Sequence, residues 1–81
     1  MKFAIFFKRE VPPCPGCASL EGFVEGLRTH DYTLIPIDVG ETPDIGTAFG
    51  VRSVPALILV DDCEFARSGP DIIALVRSKA R

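Results

Sequence analysis

Cys14-Pro15-Gly16-Cys17 is the stretch of this chain whose residue types and spacing can do chemistry. Two cysteines separated by two residues can bring their sulfurs together in a small ring, so the pair suits a cycle between dithiol and disulfide. A thiolate, not a thiol, is the nucleophile in disulfide exchange. The start of a helix favours that anion, because the first N–H groups lack intrahelical partners and the helix dipole is positive there. The same spacing also occurs at metal sites, but a metal needs further ligands. Only His30 and Cys63 supply another imidazole or thiol. His30 reads as a polar turn residue. Cys63 reads as a small apolar residue of an edge strand, with a regulatory or intermolecular thiol as the alternative. A metal or iron–sulfur site and an inert cysteine pair stand beside the redox reading of Cys14 and Cys17.

The elements that must position these cysteines follow from the apolar pattern. Phe3 to Phe7 is apolar at consecutive positions, the signature of a strand buried on both faces and therefore central in its sheet. A polar loop closes at Pro12-Pro13, and Pro15 falls where the first turn of a helix tolerates it. Cys17, Leu20, Val24 and Leu27 share one helical face, which Phe23 widens. That register puts Cys17 on the buried stripe and Cys14 at the exposed tip. Gly22 and Gly26 weaken the helix, and close packing on the sheet is the expectation for them. Tyr32 to Asp38 reads as a second strand, set at an edge by Pro36, which cannot donate to a ladder; Tyr32 would cover that edge.

Thr42-Pro43-Asp44 has the order of a helix start, with Thr42 as hydroxyl cap, and Gly50 suits its C-terminal cap. Ala56 to Val60 is a second uninterrupted apolar run, hence a second central strand. Asp61-Asp62 reads as a tight link and Cys63 to Arg67 as a fourth, edge strand. Gly69-Pro70-Asp71 opens a last helix carrying Ile72, Ile73, Leu75 and Val76. Phe3, Phe6, Phe7, Phe23 and Phe49 are expected in the core. Central first and third strands with edge second and fourth strands give the sheet order 2-1-3-4, with a parallel, right-handed first βαβ unit. The fold class is α/β: βαβ, helix, β-hairpin, helix, around a four-stranded mixed sheet.

The 81 residues, 47% of them hydrophobic, suffice for one small domain spanning 1–81. The net charge is −2 and the basic residues are scattered, so no stripe for nucleic acid is expected. The Phe3 to Phe7 run is too short for a signal-peptide core or a membrane span. An odd cysteine count is unlike a secreted disulfide framework. The expectation is a cytoplasmic monomer without membrane or nucleic-acid partners.

Phe49-Gly50-Val51-Arg52-Ser53-Val54-Pro55-Ala56-Leu57-Ile58-Leu59 resembles the thioredoxin segment that leads into the cis-proline and the strand after it. Together with the cysteine pair, Ile37-Asp38 and Gly69, the chain resembles the thioredoxin-like superfamily in its minimal, glutaredoxin-sized form, over essentially its whole length. The resemblance implies that Cys14 attacks and Cys17 resolves, through a reversible Cys14–Cys17 disulfide with no bound cofactor or metal. It implies that Pro55 is a cis-proline beside that disulfide. The Val54 backbone would then offer strand-like hydrogen bonds to an extended substrate, with Pro15, Gly16 and Gly69 on the rim.

Three departures mark this chain: Pro13 precedes Cys14 where thioredoxins carry Trp, Lys8 stands where they bury Asp, and Pro15-Gly16 follows the glutaredoxin order. Lys8 and Arg9 are candidates for tuning the thiolate, or else solvated loop charges. The implied activity is reduction of disulfide-containing protein substrates, with electrons from an NADPH-dependent flavoprotein reductase. The alternatives are a glutaredoxin using glutathione as co-substrate, for which Gly69-Pro70-Asp71 supplies part of a site, and a non-catalytic thioredoxin-fold binding module.

Overall fold

The computed structural model describes residues 2–12, 14 and 16–79. Its elements are β1 (Lys2–Lys8), α1 (Cys17–Val24), a 3-10 helix (Glu25–His30), β2 (Tyr32–Asp38), α2 (Pro43–Ala48), β3 (Ala56–Leu59), β4 (Glu64–Ala66) and α3 (Gly69–Lys79). The strands form one sheet in the order β2-β1-β3-β4. β1 runs parallel to β2 and antiparallel to β3, and β4 is antiparallel to β3. Both consecutive apolar runs occupy the sheet centre, as their pattern requires. Ala4, Phe6, Leu57 and Leu59 face a core completed by Val24, Leu27, Ile72 and Val76. Phe7, Ala56 and Ile58 face the opposite layer, against Val39, Val51 and Val54. A strand with a layer on each side has no face left for polar residues.

The helix after the cysteines is shorter than its pattern predicts. α1 ends at Val24 and the chain tightens into the 3-10 segment through Gly26, although Leu27 stays buried. A Cβ at Gly22 or Gly26 would meet nothing within 4 Å, so close packing on the sheet is not the reason for either glycine. Gly22 therefore weakens the α1 interior without a compensating contact. Gly22→Ala is expected to stabilise the protein by about 0.5–1 kcal/mol, read as a higher urea midpoint with an unchanged slope.

The aromatic residues also divide differently. Phe6 and Phe7 are fully buried, whereas Phe3, Phe23 and Phe49 are exposed. Phe3 shares a sheet face with Phe7 but lies about 13 Å along the strand. The six-residue α2 covers only about 9 Å. Its following residue, Phe49, places its ring 5.8 Å from that of Phe7.

Thr42 does not cap α2 through its side chain; its hydroxyl instead donates to the Asp38 carbonyl at 3.0 Å. The other end behaves as expected. Gly50 adopts a φ of 73°, and the N–H groups of Gly50 and Val51 close the helix on the carbonyls of Thr47 and Gly46 at 3.0 and 2.8 Å. Cys63 lies in the turn before β4, not in the strand, and is exposed with a φ of 54°.

Tyr32 is buried at the sheet edge, and its hydroxyl donates to Asp62 Oδ2 at 2.8 Å. Burial first, and this hydrogen bond second, push its pKa from 10.0 up to about 12. The same bond holds the Asp62 carboxyl below its usual range. The folded protein thus keeps the Tyr32 proton to higher pH than the unfolded chain does. That contribution to stability is intact below pH 10 and is lost as pH rises toward 12. Tyr32→Phe should cost about 1 kcal/mol near neutral pH and flatten the alkaline fall in the urea midpoint. Among the described residues no helix is long and apolar enough to cross a membrane.

Candidate active site

The cysteines sit where the loop leaving β1 becomes α1. The loop is fastened to itself: Arg9 Nε donates to the Pro12 carbonyl at 2.9 Å, and the Cys14 N–H donates to the Arg9 carbonyl at 3.1 Å. The Val11–Pro12 peptide is cis, which nothing in the sequence announced. Gly16, with a φ of 82°, takes the left-handed conformation that side chains disfavour and so suits the position before α1. From there the Cys17 N–H reaches the Cys14 carbonyl at 3.1 Å and the Leu20 N–H reaches the Gly16 carbonyl at 2.9 Å. Cys17 becomes the first residue of α1.

The two sulfurs are bonded at 2.04 Å, with the Cα atoms 5.3 Å apart. Cys17 is on the buried stripe, as its spacing predicts. Cys14, expected at an exposed tip, retains only 8% of its surface against 4% for Cys17. The Cys14 sulfur is bonded to the first residue of α1, and the opening to solvent is a depression of about 330 Å³. Lys8, Arg9, Glu10, Cys14, Cys17, Ala18 and Glu21 line it.

Lys8 belongs to this site. Its ammonium lies 3.0 and 3.1 Å from the Glu21 carboxylate oxygens and 3.1 Å from Glu10 Oε1, with 15% of the side chain exposed. The hydrogen bond to Glu21, then that to Glu10, raises its pKa above the ordinary lysine value. A cation therefore occupies the place where the resemblance leads one to expect an acid, and two carboxylates hold it. Sequence reading missed both carboxylates. Glu21 was accessible to it, lying one helical turn after Cys17 on the same face. Arg9 is engaged with the loop backbone.

The Val54–Pro55 peptide is cis, as the resemblance implies. Ala56 pairs with Phe7, so Pro55 follows at the carboxyl end of β1, where the cysteine loop departs. Val54 and Arg9 line a second depression of about 230 Å³, and Arg9 also lines the one at the disulfide. Gly69 lines none of these depressions. It opens α3 and faces α1, where a Cβ would stand 3.6 Å from Leu20 Cδ1. Pro15 and Pro13 lie outside the described residues. His30 is exposed at the end of the 3-10 segment.

The fold has solved counterparts. Mitochondrial thioredoxin 3 of Saccharomyces cerevisiae, in its oxidised form, superposes with a TM-score of 0.73 over 95% of this chain and 74% of that one, at 23% identity. The fold is thioredoxin-like. A solved malarial protein gives the same TM-score of 0.73 at 18% identity, over 100% of this chain and 99% of its own. No protein-family model matches the sequence, and no curated protein matches it. The thioredoxin-like fold thus joins a Cys14–Cys17 disulfide and a cis Val54–Pro55 bond at one end of the sheet.

Proposed function

We propose that this protein is a thiol–disulfide oxidoreductase that reduces disulfides of protein substrates. The observation that carries this reading is the Cys14–Cys17 disulfide at the first turn of α1 in a thioredoxin-like sheet. In the dithiol state the Cys14 thiolate attacks one sulfur of a substrate disulfide. A Cys14–substrate S–S bond forms, the substrate's own S–S bond breaks, and the departing thiolate takes up a proton. Cys17 then gives up its proton and attacks the Cys14 sulfur. The mixed disulfide breaks, the second substrate sulfur leaves, and the protein returns to the Cys14–Cys17 disulfide. Two electrons have passed to the substrate.

This chain contributes three things to that cycle. The α1 N-terminus favours the Cys14 anion. Lys8 sets a cation in the same depression, so that Glu10 and Glu21 do not present bare negative charge to the thiolate. The Val54 backbone beside Pro55 offers main-chain groups to an extended substrate segment.

The reductant is an NADPH-dependent flavoprotein reductase, and the working form is a monomer in a reducing compartment such as the cytoplasm. The test supplies a protein disulfide with NADPH and thioredoxin reductase in one arm, and with NADPH, glutathione and glutathione reductase in the other. Turnover in the first arm is expected. Turnover confined to the second would make it a glutaredoxin, and none in either would favour a binding module.

A further inference from the structure

The charges of this acidic chain are not evenly neutralised. Among the described residues Lys2, Lys8, Arg28 and Lys79 have carboxylate partners. Arg9, Arg52, Arg67 and Arg77 have none. Three of those four border the segment 51–54 that leads into Pro55. Arg9 and Arg52 line one depression beside it. Arg52 and Arg67 line another, of about 350 Å³, on its other side. No Asp or Glu lines either depression. Val51, Arg52 and Ser53 border both, so the segment presents Arg52 between the two depressions. Arg9 also borders the depression that holds the disulfide.

The guanidinium of Arg67 lies 4.1 Å from the centroid of the Phe65 ring, which orients it and keeps an apolar surface beneath it. The outcome is a row of three arginines without carboxylate partners over apolar floor along the segment beside Val54, reaching at Arg9 the depression of the sulfurs, where Glu10 and Glu21 are taken up by Lys8. Its chemistry matches an extended, acidic peptide, whose backbone is met by Val54 and whose carboxylates are met by the arginine forks.

Resting on the oxidoreductase reading, we infer that the Arg9–Arg52–Arg67 track selects protein disulfides flanked by Asp and Glu residues. Arg9 sits nearest the reacting sulfurs, and Arg52 and Arg67 are positioned for residues farther from them. In the test, two disulfide-linked peptides differ only in carrying three Glu or three Lys residues along the segment that leads away from the cysteine. The Glu peptide should show a kcat/KM higher by about tenfold, as three exposed charge pairs would give. Raising salt to several times the physiological level should erase most of that ratio. The double substitution R52Q/R67Q should bring the ratio down to about twofold, the share left to Arg9, and R52K/R67K should retain most of it, which a merely structural role would not do.

Binding of the same two peptides with serine in place of cysteine, followed by fluorescence anisotropy, reads the inference without any turnover. Preference for the Glu peptide there supports it even if no disulfide is reduced, in which case only the redox reading fails. Equal binding of the two peptides overturns it, as does a ratio untouched by R52Q/R67Q. A single-stranded oligonucleotide that bound more tightly than the Glu peptide would overturn the assignment to a peptide.

Discussion

Cys14→Ser should lower the reduction of protein disulfides to background, while Cys17→Ser should still react once and stop as a mixed disulfide. Serine keeps the size of cysteine but cannot form or leave an S–S bond. The asymmetry between the two follows from their places. Both line the depression, but Cys17 is the first residue of α1 and 4% exposed, whereas Cys14 belongs to the loop before it and keeps 8%. The Cys17→Ser protein should therefore accumulate an adduct with a disulfide peptide, at Cys14 and releasable by dithiothreitol. Exposed Cys63 would add background, so both variants belong in a Cys63→Ser protein, assayed by intact mass. An adduct forming through Cys17 in the Cys14→Ser protein at a similar rate would reverse the assignment.

Phe6→Ala should come close to unfolding the protein. Phe6 is fully buried and shares its layer with Leu57, Leu59, Val24 and Ile72. Truncating a buried phenylalanine costs about 3–5 kcal/mol, through lost transfer energy and the cavity left behind. A chain of this length has roughly 4–12 kcal/mol in all. Phe3→Ala is the matched control, because Phe3 is 45% exposed and should cost about 1 kcal/mol or less. Urea unfolding of the two variants should show a large loss of midpoint for the first and little change for the second. Comparable losses would mean that the exposed face carrying Phe3 is covered in solution.

Much of this architecture is legible in the residues. Phe3 to Phe7 and Ala56 to Val60 announce central strands because each is apolar without alternation, although the second strand stops at Leu59 and Val60 is exposed, and Pro36 excludes its strand from the interior. Those facts leave few sheet orders, and 2-1-3-4 is the one found. The cysteine pair was visible by spacing, whereas the cis bond before Pro55 came only through the resemblance. What was not legible depends on contacts between distant residues. The ion pair of Lys8 with Glu21 joins a strand end to a helix and has no local signature. The burial of Cys14 depends on the packing of its loop against α1, to which the disulfide ties it. Phe49 looked like a core residue by type, but it caps a helix too short to cover it. Cys63 looked like strand because the link before it read as two residues; the turn takes in Cys63 as well.

The central claim is that Cys14 and Cys17 form a reversible redox couple and not a structural crosslink. The direct measurement is the equilibrium between disulfide and dithiol in dithiothreitol or glutathione buffers of graded potential, with the state of Cys14 and Cys17 read by alkylation and mass spectrometry. The account predicts a single two-electron transition between about −120 and −270 mV, the span of working oxidoreductases. A pair that stayed oxidised below roughly −300 mV, where structural disulfides lie, would contradict it.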